Sequence, residues 1–113
     1  MDKKERAFEF ANELFDKLCH TTQLPVIKSW GIVGTTAGYM HEDLTLCLTL
    51  DTLRFKGKVY ISLVGDRYFT MLENQVHECC GTSNLSDVEK IGPTIEYLIE
   101  EYNSVIMEKV NAN

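Results

Sequence analysis

Between Leu44 and Leu50 the chain alternates almost perfectly. Leu44, Leu46, Leu48 and Leu50 fall on one side, with Thr45, Cys47 and Thr49 on the other. A period of two over that length is the mark of a β-strand with one face turned to a core. A single apolar face needs a cover, and amphipathic helical patterns flank this middle region on both sides. The fold class expected is therefore α+β: an N-terminal helix, an antiparallel meander sheet of four to five strands and a C-terminal helix, with the helices packed on one sheet face. A chain of 113 residues fits one domain, 1–113.

The first helix is expected over residues 3–20. Asp2 stands at the capping position, with Glu5 three residues on in capping-box spacing. Ala7, Phe8, Ala11, Leu14, Phe15, Leu18 and Cys19 recur every three or four residues and form its apolar stripe, with Phe10 at the margin. Thr21–Pro25 ends it, because Pro25 biases Leu24 toward extended backbone.

Val26–Val33, rich in β-branched residues and holding Trp30, is expected to be the first strand. Gly31, Gly34 and Gly38 make residues 34–38 a bulge, a bend or a loop, with pairing resumed at Tyr39-Met40 before a turn at His41-Glu42-Asp43. Leu44–Leu53 follows as a strand, Arg54–Gly57 as a turn and Lys58–Val64 as a strand. Gly65-Asp66 is a two-residue hairpin signal, after which Arg67–Leu72 returns. A fifth, short edge strand is read at Val76–Cys79, and Gly81–Asn84 as a loop. Ser86 with Glu89 is a second capping box, expected to open a short helical turn over 86–91. The main helix is expected from Pro93, a residue suited to a first helical position. Its buried stripe is read as Ile95, Leu98, Ile99, Tyr102, Val105 and Ile106, and the tail Asn111–Asn113 as frayed.

Charge narrows the function classes. The net charge is −6, and residues 86–113 hold six acids against two bases. An acidic surface repels phosphate backbones, so no nucleic-acid partner is expected. No apolar run approaches the ~20 residues of a membrane span. The charged start, Met1–Arg6, lacks the apolar segment of a secretory signal. The expectation is a cytoplasmic protein with no membrane partner.

No segment carries a catalytic, nucleotide-binding or metal motif. Cys19-His20 and His77-Glu78-Cys79-Cys80 offer soft ligands, but adjacent cysteines lack the Cys-x₂-Cys spacing by which two thiolates reach one zinc. The same Cys79 or Cys80 could act as a nucleophile only with His77 or His20 within hydrogen-bond reach. Gly31, Gly34 and Gly38 match no phosphate-binding spacing. The expectation is therefore no catalytic residue, no metal and no cofactor. Arg54, Phe55, Lys56, Lys58 and Tyr60 form a small basic-aromatic patch, read first as a hairpin tip whose lysines guard against edge pairing; as a contact it would suit an acidic surface such as the second helix of another copy. Phe55 in its turn, with Tyr97 and Met107 off the apolar stripe of the last helix, are the expected interface residues. Trp30, Tyr39 and Tyr68 are the expected lining of a pocket between helices and sheet.

The small size, acidity and helix–sheet–helix order are similar in architecture to small dimeric chaperones of secretion systems, a likeness carried by no residue motif. The leading expectation is a non-catalytic protein-binding module (adaptor, chaperone or inhibitor) whose partner is another protein or a second copy in a homodimer. A small-molecule binder is the alternative, and a thiol- or histidine-dependent enzyme the third.

Overall fold

A computed structural model describes residues 1–111, with side chains described through Met107. The elements run α1 (Lys3–Thr21), α2 (Leu24–Ser29), β1 (Ile32–Met40), β2 (Asp43–Asp51), β3 (Lys56–Val64), β4 (Arg67–Asn74), β5 (Cys79–Thr82), a 3₁₀ turn (Val88–Lys90) and α3 (Ile91–Asn111). The five strands form one antiparallel meander in the order β1-β2-β3-β4-β5. Helix α1 lies over β1 and β2, and α3 over β4 and β5, both on the same sheet face.

The Asp2 carboxylate accepts a 2.7 Å hydrogen bond from the Glu5 N–H, so the expected cap opens α1. Ala7, Ala11, Leu14 and Leu18 then face the sheet. Phe8 does not: it is 64% exposed, and Cys19 is exposed as well. The helix turns a narrower stripe to the core than its apolar residues would allow, which leaves Phe8 beside the edge of the sheet.

Residues 24–29 correct the expected first strand. Pro25 sits in the first turn of a short helix, where its missing N–H costs nothing. Ile27 and Trp30, three residues apart, both point into the core from that turn. The strand begins only at Ile32 and runs straight through residues 34–38, with one irregularity between Ile32 and Gly34. The turn after it is His41-Glu42, two residues whose φ values of 53° and 69° are both positive, as a type I′ hairpin requires.

Leu46, Leu48 and Leu50 of β2 are buried against the helices, and Val59 and Ile61 of β3 and Leu72 of β4 continue that layer. Strand β3 starts at Lys56, inside the expected turn. The fifth strand lies at Cys79–Thr82, beyond the expected Val76–Cys79. The cause is local: the Asn74 side chain accepts from the N–H groups of Val76 (3.1 Å) and Glu78 (2.9 Å), which holds 74–78 in a turn. Helix α3 begins at Ile91, so Gly92-Pro93 falls in its first turn. The 3₁₀ turn before it has Asp87, not Ser86, at its start, because the backbone of Ser86 pairs with Tyr68. Ile95, Leu98 and Ile99 are buried as expected, but Val105 and Ile106 are exposed. A helix of 21 residues is about 32 Å long at 1.5 Å per residue, and it outruns the layer beneath it. Of the expected frayed tail, Ala112 and Asn113 lie outside the described residues. No helix among the described residues is long and apolar enough to cross a membrane.

Candidate functional site

Strand alternation builds the uncovered face of the sheet as ranks of side chains. One rank crosses all five strands: Thr36, Cys47, Tyr60, Met71 and Thr82. Beside it run Gly38, Thr45, Ser62 and Phe69. On its other side run Gly34, Thr49, Lys58, Glu73 and Cys79. The first two ranks carry no charge. Thr45, Ser62 and Cys47 are buried although none of the described helices lies on that face, and the Thr45 and Ser62 hydroxyls share a 2.7 Å hydrogen bond. A hydroxyl so placed needs that partner, since an unpaired buried polar group costs about 1–3 kcal/mol.

The charged rank ends in a polar hollow of about 380 Å³, lined in part by Thr49, Asp51, Lys56, Lys58, Glu73 and His77. Tyr60 Oη donates to Glu73 Oε1 at 3.2 Å, and His77 Nδ1 lies 3.4 Å from the same oxygen. Burial, with Cys47 and Glu73 close by, pushes the Tyr60 hydroxyl up to about 12. Burial likewise raises the thiol of Cys47 above its ordinary value. Both groups stay protonated at neutral pH, so this face presents them as hydrogen-bond donors rather than as nucleophiles.

The cysteines and histidines of the two sequence clusters lie apart in their contacts. His20 Nδ1 sits 2.7 Å from the carbonyl of Asp16, and His77 turns to Glu73 rather than to a thiol. Cys79 is exposed, and burial followed by the neighbouring Cys79 raises the thiol of Cys80. Among the described residues no group of three or more His, Cys, Asp and Glu side chains converges as a metal site would need.

The expected interface residues divide. Tyr97 and Met107 stand on the outer side of α3, 59% and 57% exposed. Phe55 is 2% exposed, its ring edge-on to Tyr102 with centroids 5.3 Å apart, and belongs to the core. The expected pocket residues also separate. Tyr39 donates to the Lys3 carbonyl at 3.0 Å, with the Lys3 ammonium 4.7 Å above its ring. Tyr68 packs at the margin of the core on β4. Trp30 is 1% exposed, and its Nε1–H donates to Glu96 Oε1 at 2.7 Å.

Glu96 is the centre of a joint that local sequence patterns do not show. Arg54 Nη2 donates to its other oxygen at 2.8 Å, and Arg54 Nη1 reaches Ser29 Oγ at 3.3 Å. The basic hairpin therefore meets the acidic last helix of its own chain. Burial alone would raise the Glu96 carboxyl. The hydrogen bonds from Arg54 and Trp30, with the Arg54 charge, outweigh it and hold the group below its ordinary range. A carboxyl depressed in the folded state stabilises above its unfolded pKa and loses that contribution as pH falls through the folded value. Glu96→Gln should cost about 1–2 kcal/mol at neutral pH, the value of a charge-assisted hydrogen bond discounted for partial exposure. It should also flatten the loss of stability between about pH 5 and pH 3. Denaturant titrations of both proteins across that range would check this; parallel curves would show that the carboxylate is not acting through its charge.

No protein-family model, no curated protein and no solved structure matches this chain.

Proposed function

We propose that this chain is a non-catalytic protein-binding module of the adaptor, chaperone or inhibitor type, and that it works as a homodimer. The observation that carries the reading is a five-stranded sheet that, among the described residues, is clad by helices on one face only. On its bare side the two uncharged ranks present Thr36 and Thr82 exposed and Tyr60, Phe69 and Met71 half-buried, over the buried Thr45, Cys47 and Ser62. Such a surface suits protein contact, where aromatic and methionine side chains are favoured and charge is depleted at the centre. Exposed apolar residues elsewhere add to it: Phe8, Val33 and Leu53, and on α3 Tyr97, Val105 and Met107. Scattered singly they would be ordinary, but Phe8 and Val33 belong to the element at one sheet edge and the helix beside it.

Light scattering on a size-exclusion column tests the dimer. The expected mass is twice the 12.9 kDa of one chain. A single-chain mass that persists up to roughly 100 μM, weaker than a functional dimer of even micromolar affinity, would overturn the homodimeric reading.

A further inference from the structure

We infer that two copies of this chain join edge to edge through β1, antiparallel about a two-fold axis at Thr36, so that their two sheets become one. The inference rests on the homodimeric reading above and names the surface that reading lacks.

The β1–β2 turn decides which backbone groups are free. His41-Glu42 is a two-residue hairpin loop, so the flanking pair, Met40 and Asp43, exchanges both its hydrogen bonds. Alternation back along the ladder then points the N–H and C=O groups of Gly38, Thr36 and Gly34 at β2. Those of Tyr39, Ala37 and Thr35 point to the open edge. An axis at Thr36 sets Thr35 opposite Ala37 of a second copy and Ala37 opposite its Thr35, with all four groups of each pair in register.

Nothing on β1 guards against such pairing. Natural edge strands are blunted by lysine, proline, shortness or burial. The nine residues of β1, Ile32–Met40, include no charge and no proline, and Thr35, Thr36 and Ala37 are exposed. The opposite edge, β5, has four residues only.

The helix layer selects a second copy over a foreign strand. Helix α1 lies over β1 and β2 about equally. With strands ~4.8 Å apart, joining the β1 edges sets the two α1 axes roughly 10 Å apart, close to the 8–10 Å of packed helices. Phe8, Asn12 and Phe15 of α1 flank the β1 edge beside Thr35, Thr36 and Ala37. An antiparallel α1 pair centred near Asn12 brings Phe8 of one copy toward Phe15 of the other, which covers the most exposed aromatic ring in the helix. A lone strand from another protein would leave it bare. Charge agrees: α1 holds four bases and four acids, so two copies do not repel. Residues 91–107 of α3 hold Glu96, Glu100 and Glu101 with no lysine or arginine, so pairing of α3 with itself is opposed.

Cross-linking tests the register. Thr36 meets its own copy at a non-hydrogen-bonded position, where Cα atoms lie ~4.5 Å apart, within disulfide range. In a chain carrying Cys19→Ser, Cys47→Ala, Cys79→Ser and Cys80→Ser, the Cys47 change removing the thiol that faces position 36 from β2, Thr36→Cys should oxidise to a covalent dimer roughly a hundredfold faster than Leu53→Cys, a fully exposed control, because the effective concentration at the axis is millimolar. Amide exchange on the wild type supplies a readout free of substitution: Thr35, Ala37 and Tyr39 should be protected, and lose protection on dilution. A wild-type dimer in which Thr36→Cys links no faster than Leu53→Cys, or these amides exchange freely, overturns the edge geometry and leaves the dimer standing. A monomeric wild type overturns both.

Discussion

Trp30→Ala is expected to destabilise the fold by about 4 kcal/mol, in the range for emptying a large aromatic from a packed core. At about 4–8 °C per kcal/mol for a chain near this size, the melting temperature should fall by roughly 20 °C. Two effects add. The ring is buried against the core formed by α1, the sheet and α3. Its Nε1–H also satisfies one oxygen of Glu96, so removal leaves a part-buried carboxylate with Arg54 as its remaining strong partner. Trp30→Phe separates the two: it keeps most of the bulk, drops the donor, and should cost about 1–3 kcal/mol. Thermal melts followed by circular dichroism would measure both. A loss under about 1 kcal/mol for Trp30→Ala, the size of an ordinary surface change, would remove Trp30 from the set of residues that hold the fold.

Gly57→Ala should be almost as damaging. Gly57 lies on β3 opposite Asn74, with φ at +157°, a conformation side chains rarely adopt. An added methyl would overlap the Glu73 carbonyl and crowd Asn74 Cα at 3.1 Å. Neither obstacle is a flexible side-chain tip, so the β3–β4 ladder itself must shift. Strain and overpacking together cost on the order of 3–5 kcal/mol. Gly38→Ala is the matched control, since a methyl there meets nothing within 4 Å. Equal melting of the two variants would refute the account.

Much of the architecture can be read from the chain because the relevant signals are local. The leucine alternation from Leu44 marks β2, Gly65-Asp66 marks the β3–β4 hairpin, and Asp2 with Glu5 marks the start of α1. What could not be read locally depends on contacts distant in sequence. Trp30 and Glu96 are 66 residues apart, and Arg54 and Glu96 are 42 apart. No spacing rule links them. Phe55 looked like a turn residue because its neighbours are polar, yet the chain folds back there and buries the ring on Tyr102. In residues 24–29 two local signals compete. Val26 and Ile27 favour a strand by type, whereas Pro25 at a helix start and the Ile27–Trp30 spacing favour a helical turn. The bare sheet face was half legible. Thr45 and Cys47 alternate with the leucines as a solvent-facing rank should, but nothing in their order shows that they would be buried on that side.

The joint around Trp30 has a spectroscopic consequence. This is the protein's single tryptophan, shut away from water and hydrogen-bonded to a carboxylate. Its emission should lie well to the blue in the native state and move red when α2 or α3 comes loose. Partial opening of that one corner can therefore be followed optically, without a label, while the strands at the far edge stay intact.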